Sequence, residues 1–438
     1  MLKRVKLKDI SKAIGSGITP LRSNPLYWEN GTIPWLKTEQ LGESEIYDTS
    51  EKITQFAIDD TSIKTFPVNT LSIAMYGEGR TRGNVSILKA EMTTNQACCN
   101  IIVDEEKAYY KYVYYFLKTQ YENLRSLSSG VRKNLNSNDI KEFGILLPDD
   151  LRTQKRIASI LSSLDAKISL NNRINAELEA MAKTIYDYWF VQFDFPDKKG
   201  KPYKASGGKM VWSEELKREI PEGWEVKTLD SICSRIQSGG TPASTNKEYY
   251  SGSINWFTTK ELQDDFVLSS ESRITEKAIE ESSAKLFPSG TVVIAIYAAP
   301  TVGRLGILTT DSAFNQACCG LIANEMYCSL EFIFMTLVSY RRKLNIIASG
   351  TTQKNLSVGA IKELFVVTPP LEIMSSFTNV LNPLFNKKEL LLKENQKLTE
   401  LRDWLLPMLM NGQIKIKDAE VELAMAAEPE VSYSKKKK

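Results

Sequence analysis

The stretch from Leu151 to Phe190 limits the possible folds more than any other part of the chain. It contains no Gly and no Pro. Its apolar residues recur at steps of three and four, which predicts an amphipathic helix that packs lengthwise on one partner helix. The predicted contact residues are Ile157, Ile160, Leu164, Ile174, Leu178, Met181 and Ile185, with a gap across Lys167 and Asn171. Such a helix is about 60 Å long, which indicates a spacer.

A partner helix is predicted at Leu371–Met410, about 220 residues later in the chain. Lys387 interrupts its apolar pattern at the repeat position of Lys167, and Asn171 is placed where a buried polar residue can fix the register. Pro383 predicts a kink or a new helical start, and Pro407 an early end. The predicted contact residues are Phe377, Val380, Leu384, Leu398, Leu401 and Leu405.

The helices belong to a larger internal duplication, because five strings recur in the same order at offsets of 220 to 222 residues. The pairs are SGITP (16–20) and SGGTP (238–242), IPWLKTEQL (33–41) and INWFTTKEL (254–262), FPVNTLSIAMYGEGRTRG (66–83) and FPSGTVVIAIYAAPTVGR (287–304), NQACC (95–99) and NQACC (315–319), and SGVRKNLNSNDIKEF (129–143) and SGTTQKNLSVGAIKEL (349–364). Short β-branched runs bounded by Gly or Pro alternate with one helical stretch in each copy. The sequence therefore predicts two α+β copies, each followed by a long helix.

This pattern sets the predicted domain boundaries. They are a first globular copy (1–149), a first spacer helix (150–190), a connector rich in Pro, Gly and Lys (191–223), a second globular copy (224–369), a second spacer helix (370–411), and a closing segment that ends in a polar Lys-rich tail (412–438). The final run of lysines is interpreted as a solvated tail.

Composition excludes several kinds of active site. The chain has no histidine, so it cannot form a Ser-His-Asp triad or a Cys/His zinc site. Its six cysteines lack metal-type spacing and are predicted to be reduced, buried thiols. No run reaches membrane-spanning length, and the start lacks the apolar segment of a signal peptide, which predicts a cytoplasmic protein. The net charge of +3 restricts nucleic-acid contact to local patches.

Three pairs of loops supply candidate DNA contacts. The loop with two arginines at 77–83 can pair with guanine edges or phosphates, and its counterpart at 298–304 has different chemistry, as suits two readers of different sequences. An ordinary charged loop is the alternative. The Lys-Asn-Leu segments and the donors after two predicted core tryptophans complete the set. The candidates are Lys37, Thr38, Tyr76, Glu78, Arg80, Thr81, Arg82, Arg132, Lys133, Asn134, Thr259, Lys260, Tyr297, Thr301, Arg304, Thr351, Thr352, Gln353, Lys354 and Asn355.

Two other motifs are assigned structural roles. Asn24-Pro25-Leu26-Tyr27 approximates the N-P-P-Y motif of amino-methyltransferases, but the third position departs from it and no glycine-rich cofactor turn precedes it. A turn is the favoured interpretation. Asn95-Gln96 and Asn315-Gln316 can hydrogen-bond adenine, yet their retention in both copies favours a structural network.

Several strings resemble the specificity (S) subunit of type I restriction-modification enzymes over nearly the whole chain. They are IYDYWFVQFDFP (185–196), KASGGKMVWSEELKREIPEGWE (204–225), LRDWLLPMLMNGQIKI (401–416), and the openings LKDI…SGITP and LDSI…SGGTP. The resemblance implies a non-catalytic reader of double-stranded DNA, whose two target recognition domains each read half of a bipartite, asymmetric site. It also implies that the long helices form an antiparallel coiled coil between these domains.

The resemblance further implies partners that carry the chemistry. Two methyltransferase (M) subunits would dock on the helices and restriction (R) subunits would join them, so S-adenosylmethionine, ATP and Mg would bind to those subunits and no cofactor to this chain. Apolar residues near the helix ends are expected to hold partners, namely Trp189, Phe190, Trp404 and Leu406. A methyltransferase fused to its recognition domains and a coiled-coil scaffold with two protein-binding domains are the alternatives.

Overall fold

The computed structural model describes residues 2–77, 81–127, 134–297, 300–348 and 355–427. The chain divides into two compact units, the first formed by 1–169 with 396–438 and the second by 170–395. Each long helix contributes to both units. The first long helix is Leu151–Tyr186, followed by a π-helical turn at Asp187–Val191, and the second is Leu371–Met410.

The globular part of the first unit is built on two small sheets. The larger sheet has, in spatial order, the strands Ser11–Ser16, Cys98–Val103, Leu71–Ala74, Val85–Leu88 and Glu45–Ile46. The smaller sheet has Glu51–Ile53, Ile33–Leu36 and Thr93–Thr94. In each sheet the last two strands of this order run parallel to each other, and all other neighbouring strands are antiparallel. Leu2–Lys6 pairs separately with Gly144–Pro148.

The second unit repeats this topology, which confirms the predicted duplication and the α+β class. Its larger sheet has the strands Cys233–Ser238, Cys318–Ala323, Val292–Ala295, Leu305–Leu308 and Asp265–Val267, and its smaller sheet has Ser272–Ile274, Ile254–Phe257 and Ala313–Phe314. Glu225–Thr228 pairs with Phe365–Thr368. The connector adds a hairpin of Met210–Ser213 and Arg218–Pro221.

Short helices connect these strands. In the first unit they are Leu7–Ile10, Pro25–Tyr27, Thr38–Gln40, Gln55–Asp60, Tyr110–Thr119, Tyr121–Ser126, Ser137–Glu142 and Ile416–Ala427. In the second they are Leu229–Ile232, Lys247–Tyr250, Thr259–Glu261, Glu276–Glu281, Leu330–Ser339, Arg341–Ile347 and Val358–Lys362. Their caps are duplicated as well: the Thr54 and Thr275 hydroxyls accept hydrogen bonds from the backbone three residues on.

The buried face of each long helix follows a seven-residue repeat with alternating steps of three and four. In the first helix and its π turn the buried or half-buried positions are Gln154, Ile157, Leu161, Leu164, Ile168, Asn171, Asn175, Leu178, Ala182, Ile185 and Trp189. In the second they are Met374, Phe377, Leu381, Leu384, Lys388, Leu391, Asn395, Leu398, Arg402, Leu405 and Leu409. In the second unit Asn171 contacts Asn395 and Glu179 contacts Lys388, so the helices run antiparallel there.

This repeat corrects part of the predicted contact face. Met181 and Val380 are exposed, and so are Lys167 and Lys387, the two lysines predicted to interrupt it. The buried lysine is Lys388. Several of the buried positions carry polar residues, which makes the true buried face less regular in hydrophobicity. The predicted face therefore includes exposed apolar residues that are adjacent in sequence to buried positions.

The prolines of the second long helix do not interrupt it. The helix runs from Leu371 to Met410 through Pro383 and Pro407, which corrects the predicted new start and early end. Both prolines are exposed, so the carbonyl that each leaves without an intrahelical donor is on the side that water can reach.

Trp189 and Phe190 lie in the core of the second unit, which contradicts their predicted contact with partner subunits. Their side chains are 8% and 4% exposed. The Phe190 ring centroid lies 4.7 Å from that of Phe377 and 5.0 Å from that of Phe332. In the first unit, Trp404 is 46% exposed and Leu406 is half-buried, so Trp404 keeps a surface that a partner can reach.

The cysteines agree with their predicted role. Cys98, Cys99, Cys233, Cys318, Cys319 and Cys328 are free and buried. Burial raises the pKa of the Cys98 and Cys99 thiols to about 12, which keeps them protonated and unreactive. Within the described ranges, no helix combines the length and the apolar character that a bilayer span needs.

Candidate nucleic-acid interface

Three loops of the first unit meet where the strand Leu71–Ala74 ends. The Met75 amide donates to the Ala97 carbonyl at 2.8 Å, and the Leu135 amide donates to the Met75 carbonyl at 3.1 Å. These bonds bring the segments at 75–77, 95–97 and 134–135 together, although they are far apart in sequence. We call this surface the strand-end face of the first copy.

The SGITP turn adds a fourth segment to this face. The Gly17 and Ile18 amides donate to the Cys98 and Thr94 carbonyls at 3.3 and 2.9 Å. A Cβ on Gly17 would overlap the Thr94 carbonyl, so the close approach requires glycine at this position. The turn places the Thr19 hydroxyl against the side-chain carbonyl of Gln96, to which it donates.

The second unit has the same arrangement. The Ile296 amide donates to the Ala317 carbonyl and the Leu356 amide to the Ile296 carbonyl, both at 2.8 Å. The Thr241 hydroxyl donates to the side-chain carbonyl of Gln316. This is the strand-end face of the second copy. Both faces therefore have one backbone frame and one Thr–Gln pair in common.

Part of the predicted contact set lies on these faces. Tyr76 and Tyr297 are 39% and 40% exposed at equivalent positions, and Asn134 and Asn355 immediately precede the leucines that bond to the strand ends. Thr301 donates to the Tyr297 carbonyl at 3.2 Å. The residues brought together are Tyr76, Thr81 and Asn134 in the first copy, and Tyr297, Thr301 and Asn355 in the second.

The arginines of these loops are less exposed than predicted. Arg82 is half-buried, and its carbonyl accepts from the Arg125 guanidinium at 3.3 Å. Arg304 is half-buried and its amide closes a turn onto the Thr301 carbonyl. Eight candidates in these loops lie outside the described residues: Glu78, Arg80, Arg132, Lys133, Thr351, Thr352, Gln353 and Lys354.

The lysines that follow the core tryptophans are paired within the chain. Lys37 contacts Glu39 and lies 2.7 Å from Glu51, and these two carboxylates raise the pKa of Lys37. Lys260 pairs with Glu271. Thr38 and Thr259 begin equivalent 3-10 turns. Trp35 and Trp256 are buried, as predicted.

The asparagines of the motifs assigned structural roles make local hydrogen bonds. The Asn24 side chain accepts from the Leu26 amide at 3.2 Å and caps the turn Pro25–Tyr27. The Asn95 and Asn315 side chains accept from the amides two residues on, each at 3.1 Å. The adjacent Gln96 and Gln316 are exposed instead.

Sequence reasoning missed one charged cluster beside the first strand-end face. The Arg22 guanidinium lies 3.9 Å above the Trp28 ring and also pairs with Glu51. Arg22 is the second residue after the recurring SGITP string. Its closeness to that string is the one sequence feature that could have drawn attention to it. Its partner lies 29 residues away, so no local pattern indicated the pair.

Comparisons with known proteins agree with this architecture. The sequence model of the family described as "Type I restriction modification DNA specificity domain" matches residues 2–180 and 221–400. A type I restriction enzyme specificity subunit (MjaIX) from Methanocaldococcus jannaschii is 28% identical over 433 residues, covering 94% of this chain and 93% of the relative. The HindI specificity subunit from Haemophilus influenzae is 26% identical over 338 residues, covering 65% and 72%.

A solved structure shares the fold. The S subunit of a type I restriction-modification system from M. genitalium superimposes with a TM-score of 0.63 at 18% sequence identity, covering 93% of this chain and 96% of that one. The family match falls on both copies and on most of the two long helices. The chain belongs to the family of type I restriction-modification DNA specificity domains.

Proposed function

We propose that this chain is the sequence-specific DNA-recognition subunit of a type I restriction-modification complex, in which each copy reads one half of a bipartite, asymmetric site. The observation that carries the proposal is the duplicated strand-end face. Its backbone frame and Thr–Gln pair recur in both copies, whereas nearby side chains such as Arg22 and Lys37 are replaced in the second copy by Ser244 and Thr258. Shared groups suit contacts to the sugar-phosphate backbone, and unlike groups suit two different base sequences.

The two long helices set the gap between the half-sites and dock two methyltransferase subunits, in this proposal. Their buried faces keep one repeat over many turns, which is the property of a stiff spacer. The exposed Trp404 ring is the candidate contact to a partner subunit. The chain itself is not catalytic. Restriction subunits complete the complex, and S-adenosylmethionine, ATP and Mg bind to the partner subunits.

A map of methylated bases tests the proposal. DNA is modified by this chain together with its methyltransferase subunit and sequenced with single-molecule detection of methyl groups. A split motif of two unrelated half-sites with a fixed gap is expected, and exchanging residues 1–149 for those of a divergent relative should change one half-site only. A short continuous motif, or a change in both half-sites after the exchange, would contradict two independent readers.

A further inference from the structure

The Arg22 cluster lies at one end of the smaller sheet of the first unit. Glu51 pairs with both Arg22 and Lys37, the latter at 2.7 Å. The Arg22 guanidinium is 3.9 Å above the Trp28 ring and 4.7 Å from the Trp35 ring. Hydrogen bonds from the two indole N–H groups to the Leu21 and Ile18 carbonyls, at 3.2 and 3.1 Å, fix the aromatic rings. The cluster therefore rests on one buried and one half-buried tryptophan, Trp35 and Trp28.

This cluster is contiguous with the strand-end face. Glu51 pairs with Trp35 in the sheet register. Lys37 follows Leu36, whose carbonyl accepts from the Asn95 amide at 2.9 Å. Gln96 follows Asn95 in the chain, and its hydrogen-bond partner Thr19 lies three residues before Arg22. A DNA duplex bound to the strand-end face would thus lie beside the two cations.

The second copy keeps the frame but has no charged residue at the positions of Arg22, Glu51 and Lys37, and its Lys260–Glu271 pair lies at nearby positions instead. The Trp256 amide donates to the Ser270 hydroxyl at 3.0 Å, as the Trp35 amide does to the Thr49 hydroxyl at the same distance. The Trp256 indole donates to the Gly240 carbonyl. The residues that correspond to Arg22, Glu51 and Lys37 are Ser244, Ser272 and Thr258. The fold therefore does not require this ion cluster.

The geometry suits recognition of a base by Arg22. Its side chain is 51% exposed, and its guanidinium carries five N–H donors, more than one carboxylate can use. Stacking on Trp28 fixes the plane of the guanidinium, which reduces the entropy lost on binding. Glu39 and Glu51 balance the charges of Lys37 and Arg22, which limits non-specific attraction to phosphates. A planar, fixed guanidinium is the group that binds guanine O6 and N7 bidentately.

We infer that Arg22 is a specificity-determining residue of the first copy, where it reads a guanine of the first half-site while Lys37 contacts a neighbouring phosphate and Glu51 positions both. The second copy reads no guanine from the equivalent place. The inference rests on the proposed function and deepens it, because it assigns a base to one of the two readers.

The test compares methylated-base maps made with the wild-type chain, Arg22→Ala, Arg22→Lys and, as the matched change in the second copy, Ser244→Ala, each with the methyltransferase subunit. Wild type should require guanine at one position of the first half-site. Both Arg22 variants should lose roughly 10- to 100-fold of discrimination at that position and leave the second half-site unchanged. Ser244→Ala should leave the first half-site unchanged.

Arg22→Lys separates base reading from phosphate contact, because lysine keeps the charge but not the fork of donors. A matched measurement follows duplex binding against salt concentration, where Lys37→Ala should lower the slope by about 1. A split wild-type motif whose first half-site is equally strict in both Arg22 variants would overturn the inference and leave the proposed function standing. A wild-type map without a split motif would overturn the proposed function itself.

Discussion

Asn171 donates a hydrogen bond from its side-chain amide to the side-chain carbonyl of Asn395 at 2.9 Å, between the two long helices of the second unit. The same amide reaches Glu394 at 2.7 Å, and the Asn395 amide reaches Asn172 at 2.8 Å. Asn171 and Asn395 are 1% and 9% exposed. The side-chain carbonyl of Asn171 is buried without a hydrogen-bond partner among the described residues. The hydrogen bond between the two amides forms in one alignment of the helices, so it selects the register at some expense of stability.

Removing one member should therefore destabilise the second unit. Asn171→Ala leaves the Asn395 carbonyl without its donor, and we expect a loss of about 1–3 kcal/mol in the free energy of unfolding, measured in urea. Replacing both residues by Leu should recover most of the loss, because the two buried amides are then removed together. Asn379→Ala, at an exposed position of the second helix, is the control. An equal effect of Asn171→Ala and Asn379→Ala would contradict the role of the pair.

Much of the fold could be predicted because its signals are local or repeated. The helical periodicity of the two long segments and the recurring strings do not depend on long-range contacts. The exact buried face was harder to predict, because Asn175, Lys388 and Arg402 occupy positions where an apolar residue is expected. Only the packed structure distinguishes those positions from Met181 or Val380.

The candidate site was predictable only as a set of loops. The Thr19–Gln96 pair joins residues 77 positions apart, and Arg22 meets Glu51 across 29. The sequence has no periodic signal for such contacts. The sequence analysis assigns Trp189 and Phe190 to the surface because apolar residues at a helix end are often contacts to a partner. Here they pack on Phe332 and Phe377 within the chain.

Lys388 forms ion pairs with two carboxylates in the second unit. The stability lost when Lys388 is replaced should therefore depend on pH. It lies 2.8 Å from Asp265 and 2.5 Å from Glu179, and its side chain is 9% exposed. Burial raises the pKa of Asp265 even with Lys388 present. Lys388→Met would leave the half-buried Asp265 carboxylate without its ammonium partner and, within the described part of the chain, with only the Phe266 amide donating to it at 2.7 Å, at a cost of about 1–3 kcal/mol near neutral pH.

The sign of the pH effect follows from the raised pKa. Folding then favours protonated Asp265, so the penalty is complete above the folded pKa and fades as the pH falls toward the unfolded value. The destabilisation by Lys388→Met should be smaller in urea unfolding at about pH 4 than at about pH 7. Adding Asp265→Asn should restore stability and remove the pH dependence. An equal loss at both pH values would show that the packing of Lys388, not its charge, matters.

A cavity of about 370 Å³ lies beside Ala182. A larger side chain that fills it should stabilise the protein. Ala182, Met335 and Phe385 line it. The position that corresponds to Ala182 in the second long helix is Arg402. In the first unit, the Arg402 guanidinium pairs with Asp165 at 3.0 Å. Ala182→Leu fills part of the cavity and should raise the free energy of unfolding by about 1–2 kcal/mol.

Ala158→Leu is the matched control for this change. Ala158 lies on the same helix, is 0% exposed, and is packed in the core of the first unit. The larger side chain should destabilise that unit by about 1–3 kcal/mol in urea unfolding. Destabilisation by both substitutions would mean that the space beside Ala182 cannot accept a side chain.

Gly17 and Gly15 provide a matched pair for the strand-end face of the first copy. A Cβ on Gly17 would overlap the Thr94 carbonyl, whereas a Cβ on Gly15 has nothing within 4 Å. Gly17→Ala must move the turn that carries Thr19 away from Gln96. We expect it to weaken recognition of the first half-site in the methylated-base map while the second stays intact, because the second copy has its own turn at Gly239. Gly15→Ala should leave both half-sites and the urea midpoint unchanged. If Gly17→Ala also left the first half-site intact, the Thr–Gln pair would have no part in reading DNA.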